Sequence, residues 1–299
     1  MIDLYEAIAR AQPALQQRMH QLGVRLDQTF IEGCVGKLAQ HMLARAGEIG
    51  GCPIVGLSGA QGTGKSTLAW LLHDLLTHGF GKRVVVVSLD DYYLSQAERL
   101  ALAARVHPLL RTRGVPGTHA HPELLAALRQ LRAGQACALL RFDKSIDDRA
   151  PRPRSVSGPC DLILFEGWCV GARAQTDAEL LPPINALEAQ EDRDAAFRRF
   201  VNTQLAGPYA SLWRELDGLV YLAAPDFQTV HAFRAQQEAS LKSQSTPGAK
   251  GLMDDAALSR FLQHFERITL HMLRDTPSYA EVIVQLDAAR HFLLNIKPV

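Results

Sequence analysis

The octapeptide GAQGTGKS, Gly59 to Ser66, constrains the fold of this chain more than any other stretch. Three of its eight residues are glycine, and it ends in a lysine followed by a hydroxyl. The spacing matches G-x-x-x-x-G-K-[ST], the pattern of a phosphate-binding loop. Such a loop works only between a buried strand and the start of a helix. PIVGLS, Pro53 to Ser58, is a short apolar run of strand type. Behind the loop Leu68, Leu71, Leu72, Leu75 and Leu76 recur at helical spacing. Both required neighbours are therefore predicted.

The remaining apolar runs extend the pattern. RVVVVSL, Arg83 to Leu89, is β-branched at most positions and suits a parallel strand buried on both faces. Further strands are predicted at Leu162–Phe165, Leu219–Ala223 and Val282–Leu286, with helical patterns such as Leu124, Leu125, Leu128 and Leu131 between them. Alternating strands and helices imply an α/β fold, a P-loop NTPase-type parallel sheet with helices on both faces. Residues 1–50 carry no strand signal and read as an N-terminal helical extension, with residues 51–299 as the nucleotide-binding domain. Two stretches break the alternation. Lys144–Pro159 is polar and proline-rich and is expected to be a lid or binding loop. SQSTPGAKG, Ser243 to Gly251, has the composition of a flexible linker.

Composition narrows the function. With 299 residues and 47% hydrophobic content the chain can bury a large core. Its 32 basic and 31 acidic residues leave a net charge of +1, which gives no electrostatic footprint for nucleic acid or an anionic membrane. No apolar run reaches the length of a membrane span, and the N-terminus lacks the layout of a signal peptide. The five cysteines are scattered without metal-ligand or disulfide spacing, so reduced thiols in a cytoplasmic protein are expected.

The chemistry follows from the loop. Backbone N–H groups of Gly59, Ala60, Gln61, Gly62, Thr63, Gly64, Lys65, Ser66 and Thr67 can cradle phosphates at a helix N-terminus. Lys65 can reach the β- and γ-phosphates, and Ser66 can ligate Mg²⁺. The predicted partner is thus ATP with Mg²⁺. SLDDYY puts Asp90 and Asp91 at the carboxyl end of the next strand, where ligands of open α/β sheets bind. Strand alternation allows at most one of them to face the loop, and a carboxylate there suits a base that accepts an alcohol proton. Glu166 ends the third predicted strand and can hold Mg²⁺, through a water, or orient the acceptor. Arg111, Arg113, His119 and His121 cluster around the Pro116-Gly117 turn. RFDKSIDDR offers Asp143, Lys144 and Arg149, and Arg234 follows the fourth strand as a candidate lid arginine.

Taken in order, GAQGTGKS, VSLDDYYL, RGVPGTHAH, RFDKSIDDR, LFEGWCVG, APDF and FRAQQE resemble the D-glycerate 3-kinase family. That group is similar in plan to uridine kinase, pantothenate kinase and phosphoribulokinase. The resemblance runs from about Cys52 to the C-terminus. It implies phosphorylation of the 3-hydroxyl of D-glycerate by MgATP, with Lys65, Asp90, Glu166 and Arg234 as catalytic residues. It favours Asp90 over Asp91 as the base. Asp91, Tyr92, Arg113, His119, Asp143, Lys144, Arg149 and Arg173 are the expected acceptor-side residues. The family's THD-like turn carries an aspartate where this chain has Ala120, so no carboxylate is expected there. A sister kinase for uridine or pantothenate, and a non-catalytic nucleotide-binding module, are the alternatives. A GTP-driven switch is disfavoured because N-K-x-D is missing.

Overall fold

The computed structural model describes residues 2–244 and 253–297. Most of the Ser243–Gly251 segment therefore lies outside the described residues.

The apolar runs become strands because each supplies residues for two cores at once. In chain order the strands are β1 (Ile54–Gly59), β2 (Val84–Ser88), β3 (Cys137–Leu139), β4 (Phe142–Asp143), β5 (Asp148–Arg149), β6 (Arg154–Val156), β7 (Leu162–Gly167), β8 (Gly218–Ala223), β9 (Val282–Leu286) and β10 (Phe292–Ile296). Six of them form one sheet in the order β10-β9-β8-β1-β7-β2. All its pairs are parallel except β10 against β9. Side chains alternate across it. Ile54, Val85, Val87, Ile163, Phe165 and Tyr221 face one core. Val55, Leu57, Val86, Leu164, Val220 and Leu222 face the other.

The first core is covered by helices His121–Arg132, Ala196–Gln204 and Asp255–Tyr279. The second is covered by helices Leu4–Leu22, Lys37–Ile49 and Lys65–Asp74. The helices before residue 50 are thus one face of the α/β sandwich, since Ala11, Leu15 and Leu38 share a cluster with Leu57 and Leu71. The opening helix starts at Asp3, whose carboxylate accepts from the Tyr5 N–H, and stops at Gly23 in the left-handed region (φ 64°).

Two expectations need correction. Lys144–Pro159 is not one irregular loop, because it contains β5 and β6. These pair antiparallel with β4 and β3, and the β4–β5 hairpin folds over the Leu89–Tyr92 turn. β10 was not expected. Its sequence, FLLNI, follows a tight turn at Asp287–Arg290 and is only half-buried, so it carries a weak apolar signal.

Candidate active site

β1 sits in the middle of the sheet and delivers the phosphate loop between β7 and β8. Gly59 and Gly62 are there because side chains would not fit, and Gly64 because its φ of +91° lies in the left-handed region. A Cβ on Gly62 (φ +79°) would lie 2.8 Å from the Phe233 Cβ and 3.1 Å from the Arg234 backbone nitrogen. A Cβ on Gly59 would meet Thr63 Oγ1 at 2.8 Å. Thr63 is itself fixed, its hydroxyl donating to the Ala60 carbonyl at 2.8 Å. Gly64 (φ 91°) begins the helix Lys65–Asp74 with no side-chain cap. The orphan N–H groups of the first turn therefore remain available to an anion.

Beside the loop stand two carboxylates from neighbouring strand ends. Glu166 closes β7 and is 5% exposed. It accepts from the Ser88 hydroxyl at 2.7 Å, a contact set by the Ser88–Glu166 register of β2 and β7. Burial pushes its carboxyl up, Lys65 opposes this and Asp90 adds to it. Asp90 lies in the turn Leu89–Tyr92 after β2. Lys144 Nζ donates to its Oδ2 at 2.7 Å and the Tyr93 hydroxyl donates to its Oδ1 at 2.6 Å. Burial would raise the Asp90 carboxyl, but the Lys144 and Lys65 charges override it and hold Asp90 well below the usual carboxylate range.

Asp91 points elsewhere. It accepts from the Phe142 N–H at 3.3 Å, and burial raises its carboxyl. It fastens the β4–β5 hairpin to the turn while Asp90 faces the loop. That hairpin presents Lys144 to Asp90, and Asp143 caps its own turn through the Ser145 N–H at 2.9 Å. Arg113 lies against the same hairpin. Its guanidinium pairs with Asp147 and stands 5.5 Å from the Phe142 ring centre. Arg149 reaches Glu98 at 3.1 Å and the Tyr93 carbonyl at 3.4 Å.

His119 forms the floor. It is 2% exposed and its Nδ1 lies 2.5 Å from the Tyr209 hydroxyl. Tyr209 oxygen accepts the N–H of Gly117 at 3.0 Å and faces the His119 backbone N–H. With its lone pairs so engaged, the hydroxyl donates its proton to Nδ1. Nε2 then carries the imidazole proton, and it is buried without a partner. Burial pushes the His119 ring down to about 3, against the pull of Asp90. The ring is neutral and offers one N–H donor.

Three sequence expectations fall outside this constellation. Tyr92 is 1% exposed and packs in the sheet's first core, because the turn after β2 rotates it inward. Its neighbour Tyr93 reaches Asp90 instead. Arg173 stacks over the Tyr279 ring at 3.6 Å, in a cleft of about 800 Å³ lined by Trp213, Gly218 and Glu281. Gly218 begins β8, so this cleft lies at the sheet end opposite the phosphate loop. The chain is carried there by Gly171 (φ 81°), and the Trp213 indole N–H holds it by donating to the Ala172 carbonyl at 2.9 Å. Arg234 abuts the loop through its backbone, while its guanidinium pairs with Glu238 at 2.8 Å.

Tyr93, Ser88, Tyr209 and Asp147 were not singled out from sequence. Asp147, in a left-handed conformation (φ 54°), binds Arg113 and also the buried Arg99 at 2.6 Å. Only Tyr93 had a local signal, as the second aromatic of DDYY. The other contacts join residues distant in sequence.

The donor set suits the groups expected from the motif. An uncapped helix N-terminus with Lys65 fits a polyphosphate. The Ser66 hydroxyl and the Glu166 carboxylate are oxygen ligands of the kind Mg²⁺ prefers.

No protein-family model matches the sequence. Curated relatives do. The chain is 32% identical over 223 residues to the uncharacterized kinase mug58 of Schizosaccharomyces pombe, covering 71% of this chain and 78% of that protein. It is 28% identical over 258 residues to the chloroplastic D-glycerate 3-kinase of Arabidopsis thaliana, covering 81% of this chain but 54% of the plant protein's length. Among solved structures, D-glycerate 3-kinase from Cryptococcus neoformans superposes with a TM-score of 0.74 at 25% identity, covering 88% of this chain and 99% of that one. A phosphate loop flanked by Asp90 and Glu166, on a fold shared with these relatives, makes the chain an ATP-dependent P-loop kinase that belongs to the D-glycerate 3-kinase family.

Proposed function

We propose that this kinase transfers the γ-phosphoryl group of ATP to the 3-hydroxyl of D-glycerate, giving 3-phosphoglycerate and ADP, in the cytoplasm. The observation that carries the reading is the Asp90–Lys144 pair beside the phosphate loop, 2.7 Å between Nζ and Oδ2. It joins a carboxylate suited to orient a hydroxyl with a cation suited to a substrate carboxylate. The names of the plant and fungal relatives support the choice of acid.

In this reading Lys65 and the loop N–H groups hold the β- and γ-phosphates in line with the acceptor. Magnesium, when bound with ATP at Ser66 and Glu166, supplies charge neutralisation at the phosphates. Asp90 accepts the hydrogen bond of the attacking hydroxyl. Phosphoryl transfer proceeds through a loose transition state with little bonding to the nucleophile, so a carboxylate that always stays ionised is well matched. Lys144 and Arg113 hold the carboxylate of the acid, and the His119 Nε2–H donates to the acceptor. Once Lys144 is shared with the substrate, Asp90 loses part of its countercharge and becomes a better proton acceptor. The hydroxyl farthest from the anchored carboxylate reaches the phosphate. Attack by the 2-hydroxyl would instead bring two anions together.

The test is ADP release across a panel of hydroxyl acceptors, followed by ³¹P and ¹H NMR of the product from D-glycerate. Coupling of phosphorus to methylene protons is expected, and coupling to the single C2 proton refutes the regiochemistry. A related hydroxy acid is the second reading, favoured by Ala120, which leaves the pocket without the carboxylate of the family's turn. Turnover of such an acid well above that of D-glycerate would select it.

A further inference from the structure

Two of the thiols lie far from the phosphates. Cys52 precedes β1 and Cys160 precedes β7, so two neighbouring parallel strands begin beside a pair of cysteines. Their Sγ atoms are 3.1 Å apart. A disulfide needs about 2.05 Å, so closing the gap takes a movement of only about 1 Å. The two thiols differ in access. Cys52 is 7% exposed, whereas Cys160 is half-buried and lines a cleft of about 340 Å³ beside β2. The cleft walls carry His73, Lys82, Arg83 and Arg154. Arg83 is held over the 157–161 turn, its N–H donating to Asp161 at 2.7 Å and its guanidinium to the Ser157 carbonyl at 3.3 Å.

We propose that Cys160 and Cys52 form a thiol–disulfide exchange site for a small anionic disulfide of the glutathione class, with Cys160 attacking and Cys52 resolving. The basic cleft gathers the carboxylates of the oxidant over the accessible sulfur. The hydrogen bond from Cys52 holds the Cys160 thiol below its ordinary value against the effect of burial, and Arg83 adds to this. The Cys160 thiolate attacks one sulfur of the oxidant, forming a mixed disulfide and releasing one thiolate. Cys52 then gives its proton to solvent and attacks Cys160 Sγ, forming the Cys52–Cys160 bond and expelling the second thiolate. Two protein thiols are oxidised and one small disulfide is reduced to two thiols. Cys34, Cys137 and Cys169 are 0%, 8% and 0% exposed and offer no comparable entry.

The cross-link joins the N-terminal ends of β1 and β7, away from Lys65 and Asp90, so kinase turnover survives in Cys160→Ser. The experiment treats the full reduced chain with oxidised glutathione and reads intact mass, peptide map and melting temperature. Wild type should lose about 2 Da, yield a peptide joining Cys52 to Cys160, and melt roughly 5 °C higher until a dithiol reverses it. Cys52→Ser should trap a stable adduct of about 305 Da on Cys160. Cys160→Ser should leave Cys52 unmodified. At low salt oxidised glutathione should react several-fold faster than neutral hydroxyethyl disulfide, and salt should shrink the advantage. A wild-type protein that stays reduced, stops at the mixed disulfide or links another pair overturns the proposal. So do equal rates for the anionic and neutral reagents.

Discussion

Acidification should weaken this protein through His119 in a way that one substitution can isolate. The perturbation is a fall from pH 7 to pH 5. An unfolded histidine titrates near 6.5, whereas burial holds folded His119 at about 3. Between those values the unfolded chain binds one proton more than the native chain. Stability is therefore full above pH 6.5 and is lost as pH falls toward 3. Over the interval chosen the loss is about 1.5 pH units at 1.36 kcal/mol each, roughly 2 kcal/mol. His121, His264 and His271 are also lowered by burial, so the raw pH dependence is a sum. His119→Gln removes one member of it. The assay is urea unfolding of both proteins at pH 7 and pH 5. The variant is expected to be less stable at pH 7, because the Tyr209 hydroxyl loses its acceptor, but to fall by about 2 kcal/mol less on acidification. Parallel losses in the two proteins would refute a neutral buried imidazole at this position.

Three further outcomes follow from the site. Asp90→Asn should lower kcat by roughly 10²–10⁴-fold with the fold intact, while Asp91→Asn should loosen the hairpin at Phe142 with a smaller effect; the reverse order in steady-state kinetics would exchange their roles. Arg113→Ala should raise the KM for the acid by about 10–100-fold, the size of a lost charged hydrogen bond, and equal damage to the KM for ATP would assign Arg113 to the nucleotide. Gly62→Ala should sharply weaken nucleotide binding by calorimetry, since it adds about 1–2 kcal/mol of backbone strain at φ +79° to an overlap with Phe233; unchanged affinity would mean that the loop relaxes freely.

The parts of the structure legible in sequence are those whose signal is local. PIVGLS, RVVVVSL and LILF read as strands because both faces of each are buried, and all three lie in the central sheet. GAQGTGKS could be located to the residue because its glycines answer to close approach at Gly59 and Gly62 and to positive φ at Gly62 and Gly64. The choice between Asp90 and Asp91 was less local than strand alternation suggests, because β2 ends at Ser88 and both aspartates lie in the 3₁₀ turn Leu89–Tyr92, where partners sort them: Lys144 and Tyr93 for Asp90, the Phe142 N–H for Asp91. What escaped the sequence depends on partners far away. Tyr209 meets His119 through the turn Leu205–Tyr209, and no pattern around either residue announces the other. Arg173 was grouped with the acceptor cations only through the family resemblance. Seven residues beyond Glu166 are enough for the chain to turn at Gly171 and carry the guanidinium to the opposite end of the sheet.

The central place of β1 also dictates when this protein can become a kinase during its own synthesis. Ile54 pairs with Ile163, and Val55 pairs with Gly218. When the phosphate loop leaves the ribosome, neither flanking strand has been made. The helices Leu4–Leu22 and Lys65–Asp74 can dock early, since they pack together and share one apolar cluster that includes Ala11, Leu15, Leu71 and Leu72. The apolar strand between them stays without a hydrogen-bonding neighbour until residues 162–167 arrive, and is enclosed only after residues 218–223. Long-range parallel pairing of this kind is slow, and it exposes an aggregation-prone edge meanwhile. The nascent chain is thus most vulnerable while translation runs from β2 to β8, and a pause placed after residue 223 would protect it better than one placed before.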